Sequence, residues 1–200
     1  GGIRSIDDIS KALNSGADRV SINSAAVEDP KFIEEAIKKF GSSTISLSVE
    51  TLKVNSTYKI FTESGRKETN IDLFKWLKKA EEYGFGELIV TSIKSEGRSS
   101  GLDIDLYKKL SEFTSIPVLA HGGTGSEQDV LRLFKETIVK GVVICSAFHF
   151  NYIGKIKKDK ELMNKGSTSF INNLIDYKKY KTDIVKLKFF LIENGIEIRL

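Results

Sequence analysis

Two glycine pairs, each followed some twenty residues later by a serine at the end of an apolar run, are the residues best suited to chemistry. The chain opens with Gly1–Gly2 and repeats the pair as Gly122–Gly123, while Asn23–Ser24 and Cys145–Ser146 follow the apolar runs. Glycine lets backbone N–H groups approach a ligand, and a serine hydroxyl in front of a helix adds a donor, which is what a phosphate needs. An ordinary turn is the alternative for either pair alone.

The two stretches are copies of one strand–helix–strand module. The matched positions are Gly1/Gly122, Gly2/Gly123, Ser5/Ser126, Asp8/Asp129, Leu13/Phe134, Ile22/Ile144, Ser24/Ser146 and Ala25/Ala147. Two equivalent anion sites on opposite sides of one mouth would suit a substrate with a phosphate at each end.

The elements that must position these residues alternate between strand and helix. We expect strands over 18–23, 44–50, 86–92, 117–123 and 142–146. Ser5 and Asp29 are expected to cap the first two helices, and further helices are expected around 73–80, 103–113, 130–134 and 183–195. TYKIFT and RKETN, joined by ESG, predict a hairpin before the third helix. Such alternation predicts an α/β domain over 1–200 with a parallel sheet and right-handed crossovers. The aperiodic stretch 151–181 breaks it and is interpreted as an insertion.

Composition limits the class of protein. The chain is 40% hydrophobic and 29% charged, with a net charge of +4 and one cysteine. The positive charge is local, because residues 151–200 carry 11 basic against 6 acidic residues. A solvated lysine-rich surface is expected there, not a nucleic-acid site.

No run is apolar enough to span a membrane, and one cysteine fits a reducing, cytoplasmic compartment. No cofactor or metal is expected, since dinucleotide, P-loop and metal-ligand spacings are lacking.

Five stretches closely resemble the cyclase subunit of imidazole glycerol phosphate synthase: GADRVSINSAAVEDP, FGSSTISLSVE, GELIVTS, IPVLAHGGTG and ICSAFHF. The resemblance covers 1–150 and 182–200. It implies a (β/α)8 TIM barrel built from two half-barrel repeats, and it places Gly1 and Gly2 at the end of the third strand. The expectation is therefore an incomplete barrel with strands four to eight present.

The resemblance also implies roles for individual residues. One phosphate would be bound by Gly2, Asn23 and Ser24, and the other by Gly97, Gly123, Cys145 and Ser146. At the opposite mouth, Asp18, Arg19 and Glu87 would meet a glutaminase partner and surround the ammonia entry, although ordinary surface ion pairs are the alternative.

Catalysis in this family uses two aspartates, one on the first strand and one at the end of strand five. The resemblance places the first aspartate in the strands expected to be missing, and Glu50 stands at the second position in SVETL. Its extra methylene moves the carboxylate by more than an ångström, which puts cyclisation in question. Glu96 replaces an aspartate in SIKSEGRSSG, where Lys94 and Arg98 are also candidates for meeting a phosphate. His121 replaces a serine and is either a general base or a packing residue; His149 is expected to be structural.

Three functions follow from the resemblance. The first is a lyase of histidine biosynthesis that uses glutamine-derived ammonia to convert a bisphosphorylated aminoimidazole carboxamide ribonucleotide to imidazole glycerol phosphate. The second is a divergent branch of the family that delivers ammonia for amidation of a surface sugar. The third is a non-catalytic phosphate-binding scaffold.

Overall fold

The computed structural model describes residues 2–156 and 182–199. The strands are β1 (Val20–Ile22), β2 (Ile45–Val54), β3 (Thr57–Thr62), β4 (Lys67–Asp72), β5 (Glu87–Ser92), β6 (Val118–His121) and β7 (Gly141–Val143). The α-helices are α1 (Ile6–Asn14), α2 (Ser24–Glu28), α3 (Pro30–Phe40), α4 (Leu73–Ala80), α5 (Ile104–Phe113), α6 (Glu127–Glu136), α7 (Ser146–Ile156) and α8 (Ile184–Glu193).

The strands form one sheet in which β1, β2, β5, β6 and β7 are parallel and neighbour one another in that order. Every connection between successive parallel strands contains at least one helix. The prediction of an α/β fold with a parallel sheet is confirmed. The hairpin is confirmed as well, because β4 pairs antiparallel with β3, and β3 pairs antiparallel with β2.

Strand β2 is longer than predicted because two strands share one of its edges. Its first residues, Ile45 to Leu47, pair with β1, while Glu50 to Val54 pair with β3 of the hairpin. The hairpin thus supplies hydrogen bonds beyond the point where β1 ends, and the strand continues to Val54.

The two faces of the sheet have different surroundings. Leu47 and Val49 of β2, Leu88 and Val90 of β5, and Ala120 of β6 are fully buried in the main core. Successive side chains of a strand point to opposite faces, so Ser46, Ser48 and Glu50 share the other face, which is more polar. The core therefore lies on one face of the sheet, and the polar side chains that could take part in chemistry lie on the other.

Both copies of the repeated module start their helix with the same capping box. Ser5 Oγ accepts from the Asp8 N–H at 3.2 Å, and Ser126 Oγ accepts from the Asp129 N–H at 3.3 Å. Each aspartate in turn accepts 2.9 Å hydrogen bonds from its capping serine's N–H. This reciprocal arrangement satisfies N–H groups that a helix start leaves unpaired.

Other predicted boundaries agree with the structure to within a few residues. Asp29 caps α3 with Pro30 in its first turn, and Gly41 ends the helix. The last strand is shorter than predicted: it ends at Val143, before Ile144 and Cys145. The prediction that an insertion starts at residue 151 is wrong, because 151–156 belong to α7. The rest of the proposed insertion, 157–181, lies outside the described residues. Within the described residues, no helix combines the length and hydrophobicity that crossing a membrane requires.

Candidate active site at the carboxyl end of the parallel strands

A cavity of about 630 Å³ lies beyond the end of β1. Gly2, Asn23 and Ser24, the residues expected at one phosphate, all line it, and Arg4 and Arg66 line it too. The Asn23 Oδ1 atom is buried without a hydrogen-bond partner among the described residues. Two guanidinium groups and a free amide oxygen make this cavity suitable for an anion that also carries a hydroxyl donor.

A second cavity, of about 150 Å³, lies beyond β6 and β7. Gly97, Gly123, Cys145 and Ser146, the residues expected at the other phosphate, line it together with Glu96. Because β1 and β7 are parallel strands of one sheet, both cavities lie at the same edge of the sheet.

Close packing explains the glycine pair in the second module. A Cβ on Gly123 would lie 2.1 Å from the Gly101 carbonyl oxygen, and one on Gly122 would lie 2.8 Å from the Ser92 carbonyl oxygen. Both residues also have a positive φ, of 106° and 94°. The loop after β5 therefore packs directly against this backbone, which forms one wall of the smaller cavity.

Glu50 occupies the end of the polar face of β2. Its Oε2 atom accepts a 2.8 Å hydrogen bond from the Gly65 N–H in the turn of the hairpin. The adjoining Glu63 N–H donates to Ser24 Oγ at 3.3 Å. One turn thus contacts both the expected catalytic carboxylate and a residue of the larger cavity.

His121 lies in register with Thr91, which in turn lies in register with Glu50. The Thr91 Oγ1 and His121 Nδ1 atoms are 2.9 Å apart, so these two side chains share one face of the sheet. Glu50 shares it too, because aligned residues of paired strands point the same way. Glu50, Thr91 and His121 thus form a row across three neighbouring strands. Two ionisable side chains, Glu50 and His121, lie in this row at the carboxyl end of the sheet.

Tyr107 of α5 fixes the backbone at this row. Its hydroxyl lies 2.9 Å from the Val90 carbonyl and 3.0 Å from the His121 carbonyl, and it accepts from the His121 N–H at 3.1 Å. The phenol is fully buried, and this burial raises the pKa of Tyr107. The hydroxyl therefore stays protonated and joins β5 to β6.

The residues expected at the opposite mouth lie at the other end of the same sheet face. Arg19 Nη1 is 2.9 Å from Glu87 Oε2, and Ser46 Oγ donates to Glu87 Oε1 at 3.0 Å. Ser46 and Glu50 are four residues apart on β2, so about 13 Å separates these groups along the strand. Asp18 is exposed beside this cluster in sequence.

Lys94 and Arg98 lie away from both cavities and instead line a separate depression near Asp105. His149 is exposed on α7, where its ring contacts Phe150 at 5.3 Å between centroids.

Sequence analysis did not identify five residues of the site: Arg4, Arg66, Thr91, Tyr107 and Thr124. Three of these residues had a positional signal: Arg4 and Thr124 follow the two glycine pairs, and Arg66 follows the ESG turn. Thr91 and Tyr107 depend on contacts between elements.

Comparison with known proteins identifies the family of this chain. The family model described as histidine biosynthesis protein matches residues 1–154. A relative from Campylobacter concisus, named imidazole glycerol phosphate synthase subunit HisF, is 36% identical over all 200 residues and 67% of its own length. The chain belongs to the HisF family. HisF proteins from Hydrogenobaculum sp. (strain Y04AAS1) and Streptococcus mutans are 44% and 34% identical over 76% and 83% of the chain.

The chain spans 61% and 66% of the length of those last two HisF relatives, respectively. The match includes both cavities and the Arg19–Glu87 pair, because all of them lie within residues 1–154.

Proposed function

We propose that this chain forms the catalytic part of an imidazole glycerol phosphate synthase cyclase subunit. The observation that carries the proposal is the pair of cavities at one edge of the sheet, built from equivalent residues of a duplicated module. A substrate with a phosphate at each end would place its reacting centre between them, beside Glu50. Membership of the HisF family, taken with the resemblance, implies that this substrate is a bisphosphorylated aminoimidazole carboxamide ribonucleotide.

In this proposal the parallel strands are strands four to eight of a (β/α)8 barrel. Strands β1, β2, β5, β6 and β7 follow one another in spatial order, as neighbouring strands of such a barrel do. The polar face of β2 would then face the barrel interior. Barrel enzymes keep their active sites at the carboxyl end of the strands, where both cavities lie.

Each group of residues has a separate role. Gly2, Asn23 and Ser24 bind one phosphate with Arg4 and Arg66, and Gly97, Gly123, Cys145 and Ser146 bind the other, with Glu96 beside it. Glu50 transfers protons during ammonia addition and ring closure. The Gly65 N–H orients its carboxylate through a 2.8 Å hydrogen bond.

The partner in this proposal is a glutaminase that docks against the amino end of the strands. Asp18 and Arg19 would contact it, and the Arg19–Glu87 ion pair would gate the entry of ammonia. Ser46 and Ser48 follow Glu87 along the face that leads to Glu50. A cytoplasmic location fits the single cysteine, which can form no disulfide within the chain.

The test is cyclisation of the bisphosphorylated ribonucleotide with ammonium ions as the nitrogen source. Glu50→Gln should abolish it, whereas Glu68→Gln, at an exposed position of β4 in the same hairpin, should leave it intact. Turnover that is the same in Glu50→Gln and in the unmodified protein would contradict the role of Glu50.

One observation favours ammonia delivery to another enzyme as the second candidate: the carboxylate at the catalytic position is a glutamate already held by Gly65. Absence of cyclisation with ammonium ions, together with stimulation of a glutaminase, would favour this function. Failure to bind any phosphorylated ligand would exclude both.

A further inference from the structure

The two cavities differ in the kind of positive charge that they offer an anion. Arg4 and Arg66 line the larger one, and a guanidinium stays charged at all physiological pH values. Among the described residues that line the smaller one, His121 is the sole side chain able to carry a positive charge. The net charge of the smaller cavity therefore depends on whether that imidazole is protonated.

Both the ring and the backbone of His121 are held in place. Thr91 Oγ1 lies 2.9 Å from its Nδ1 atom, and the Tyr107 hydroxyl is bonded to its backbone N–H and carbonyl. Its Nε2 atom makes no hydrogen bond to any residue that the structure describes. Nε2 is thus the ring nitrogen left to meet a molecule in the cavity.

The same cavity holds an unpaired donor. Thr124 is only 6% exposed, and its Oγ1 atom has no hydrogen-bond partner among the described residues. A buried hydroxyl without a partner is costly, and an oxygen of a bound anion would satisfy it. Thr124 and the backbone of Gly123 would then bind the anion beside the imidazole.

We propose that protonated His121 is the cation of this cavity, so that anion binding there weakens as the pH rises, while binding in the Arg4 and Arg66 cavity does not. The proposal rests on the proposed function in that the two cavities take the two phosphates of one substrate. When the imidazole is protonated, its Nε2–H donates a charge-assisted hydrogen bond to the anion. When the imidazole is neutral, it loses most of this attraction for the anion.

Histidine side chains in general change charge between about pH 5.5 and about pH 7.5, which is the range for the test. Four other ionisable groups surround His121: Glu96 and Cys145 line the same cavity, Glu50 lies two strands away, and Asp103 caps α5. Burial raises the pKa of Tyr107, which therefore remains neutral.

Sulfate is the appropriate probe because it keeps its charge throughout this range, unlike phosphate. NMR titrations would follow the Gly123 and Ser146 amides for the smaller cavity and the Ser24 and Arg66 amides for the larger one. We expect sulfate affinity at the smaller cavity to fall at least about tenfold from about pH 5.5 to about pH 7.5. Affinity at the larger cavity should change less than about twofold, because guanidinium groups do not titrate there.

Two substitutions separate the charge from the shape of the ring. His121→Asn keeps a polar side chain that cannot be protonated, so it should give the low affinity at both pH values. His149→Asn is the matched control, because the chain has two histidines and this one is exposed on α7; it should titrate sulfate as the unmodified protein does. Amide spectra of both variants without sulfate would report whether the fold is kept.

The outcomes distinguish this inference from the proposed function. Sulfate binding at Gly123 and Ser146 that does not vary with pH, or that varies equally in His121→Asn, would overturn the role of His121. The proposal that the two cavities bind phosphates would be unaffected by that result. Failure of sulfate and of the bisphosphorylated ribonucleotide to bind at either cavity would overturn both.

Discussion

The Glu50 carboxylate accepts a hydrogen bond from the Gly65 N–H, with Oε2 and N 2.8 Å apart. The contact links the end of β2 to the turn between β3 and β4. The side chain expected to move protons is therefore oriented by a hairpin that forms no part of the alternating strand–helix pattern.

Shortening this side chain should have opposite effects on stability and turnover. In Glu50→Asp the carboxylate retreats by one methylene and loses the Gly65 N–H, so we expect unfolding to become easier by about 1 kcal/mol. Because the resemblance implies an aspartate at this position, the shorter side chain should place the carboxylate as in the family, and ammonium-dependent cyclisation should rise, by up to about a hundredfold. Glu68→Asp, the same change at an exposed position of β4, is the control for thermal melting and steady-state kinetics. Equal effects of the two substitutions would contradict the orienting role.

The duplicated capping boxes should contribute equally. Ser5→Ala and Ser126→Ala should each lower the free energy of unfolding by about 1 kcal/mol, which is about 2–4 °C in Tm for a chain of this size. Ser15→Ala, which removes a hydroxyl that only donates to the Lys11 carbonyl, should change it less. Thermal melting of the three variants and of the double variant would show whether the two caps are independent.

Acid should weaken the first of these caps. The hydrogen bond from the Arg4 N–H is the main cause that lowers the pKa of Asp8 below its ordinary value. A lowered folded-state pKa stabilises the protein above the ordinary carboxyl pKa, and this stabilisation is lost as the pH falls through the lowered value. Denaturant unfolding of Asp8→Asn should therefore show a smaller loss of stability on acidification than the unmodified protein. An identical acid dependence would contradict this linkage.

Gly123 and Gly16 provide a test of close packing apart from backbone strain. Their φ angles are 106° and 99°, but a Cβ would meet the Gly101 carbonyl oxygen at Gly123 and nothing within 4 Å at Gly16. Gly16→Ala should cost about 1–2 kcal/mol, the usual penalty of a positive φ. Gly123→Ala should cost clearly more and weaken sulfate binding at the neighbouring cavity. Equal losses in denaturant unfolding would show that the loop after β5 moves aside freely.

Removal of the Tyr107 hydroxyl should destabilise the sheet between β5 and β6. Tyr107→Phe leaves the buried His121 N–H without its partner, which should cost about 1–3 kcal/mol. The raised pKa of this phenol also stabilises the fold below the ordinary phenol pKa, and that stabilisation is lost as the pH rises above it. Stability of Tyr107→Phe should thus decline less between about pH 9 and about pH 11.

Two further tyrosines set the comparison for that experiment. Burial also raises the pKa of Tyr58, to about 12, so some alkaline sensitivity should remain in Tyr107→Phe. Tyr152→Phe, at a side chain that is 65% exposed, is the control and should leave the alkaline profile unchanged.

The Arg19–Glu87 pair should matter for ammonia transfer more than for stability. Arg19→Ala removes an ion pair whose arginine is 56% exposed, so the fold should lose less than about 1 kcal/mol. With the glutaminase partner, glutamine-dependent turnover should fall while ammonium-dependent turnover stays within about twofold. Lys11→Ala, which removes the exposed Lys11–Asp7 pair, should change neither activity. Equal losses with both nitrogen sources would argue against a gate.

Local sequence signals were sufficient for most of the helices, but they did not predict α2 or α7. The resemblance gave the glycines and serines of the two cavities but not Arg4, Arg66 and Thr124. The Ser5 and Ser126 caps, the Asp29–Pro30 start and the Gly41 stop depend on residues within one turn of each other, and all are present. The glycines and serines near the cavities follow strands whose order was predictable from the alternation.

Contacts between distant elements were not readable in the same way. The extension of β2 to Val54 depends on its pairing with β3, and the Glu50–Gly65 bond depends on where that hairpin turns. The Tyr107 hydroxyl reaches between β5 and β6 only once α5 has packed. Such contacts depend on tertiary packing, which the helical and strand periodicities do not encode.

The hairpin also has a consequence for the time course of folding. Strands β2, β3 and β4 are adjacent in the sequence and close only short loops, whereas each parallel pairing must wait for a crossover with its helix. Hairpins form within about 1–10 µs, far faster than pairings between distant segments. We therefore expect the three-stranded antiparallel unit to form early and to fix the register of Glu50 before the neighbouring parallel strands join.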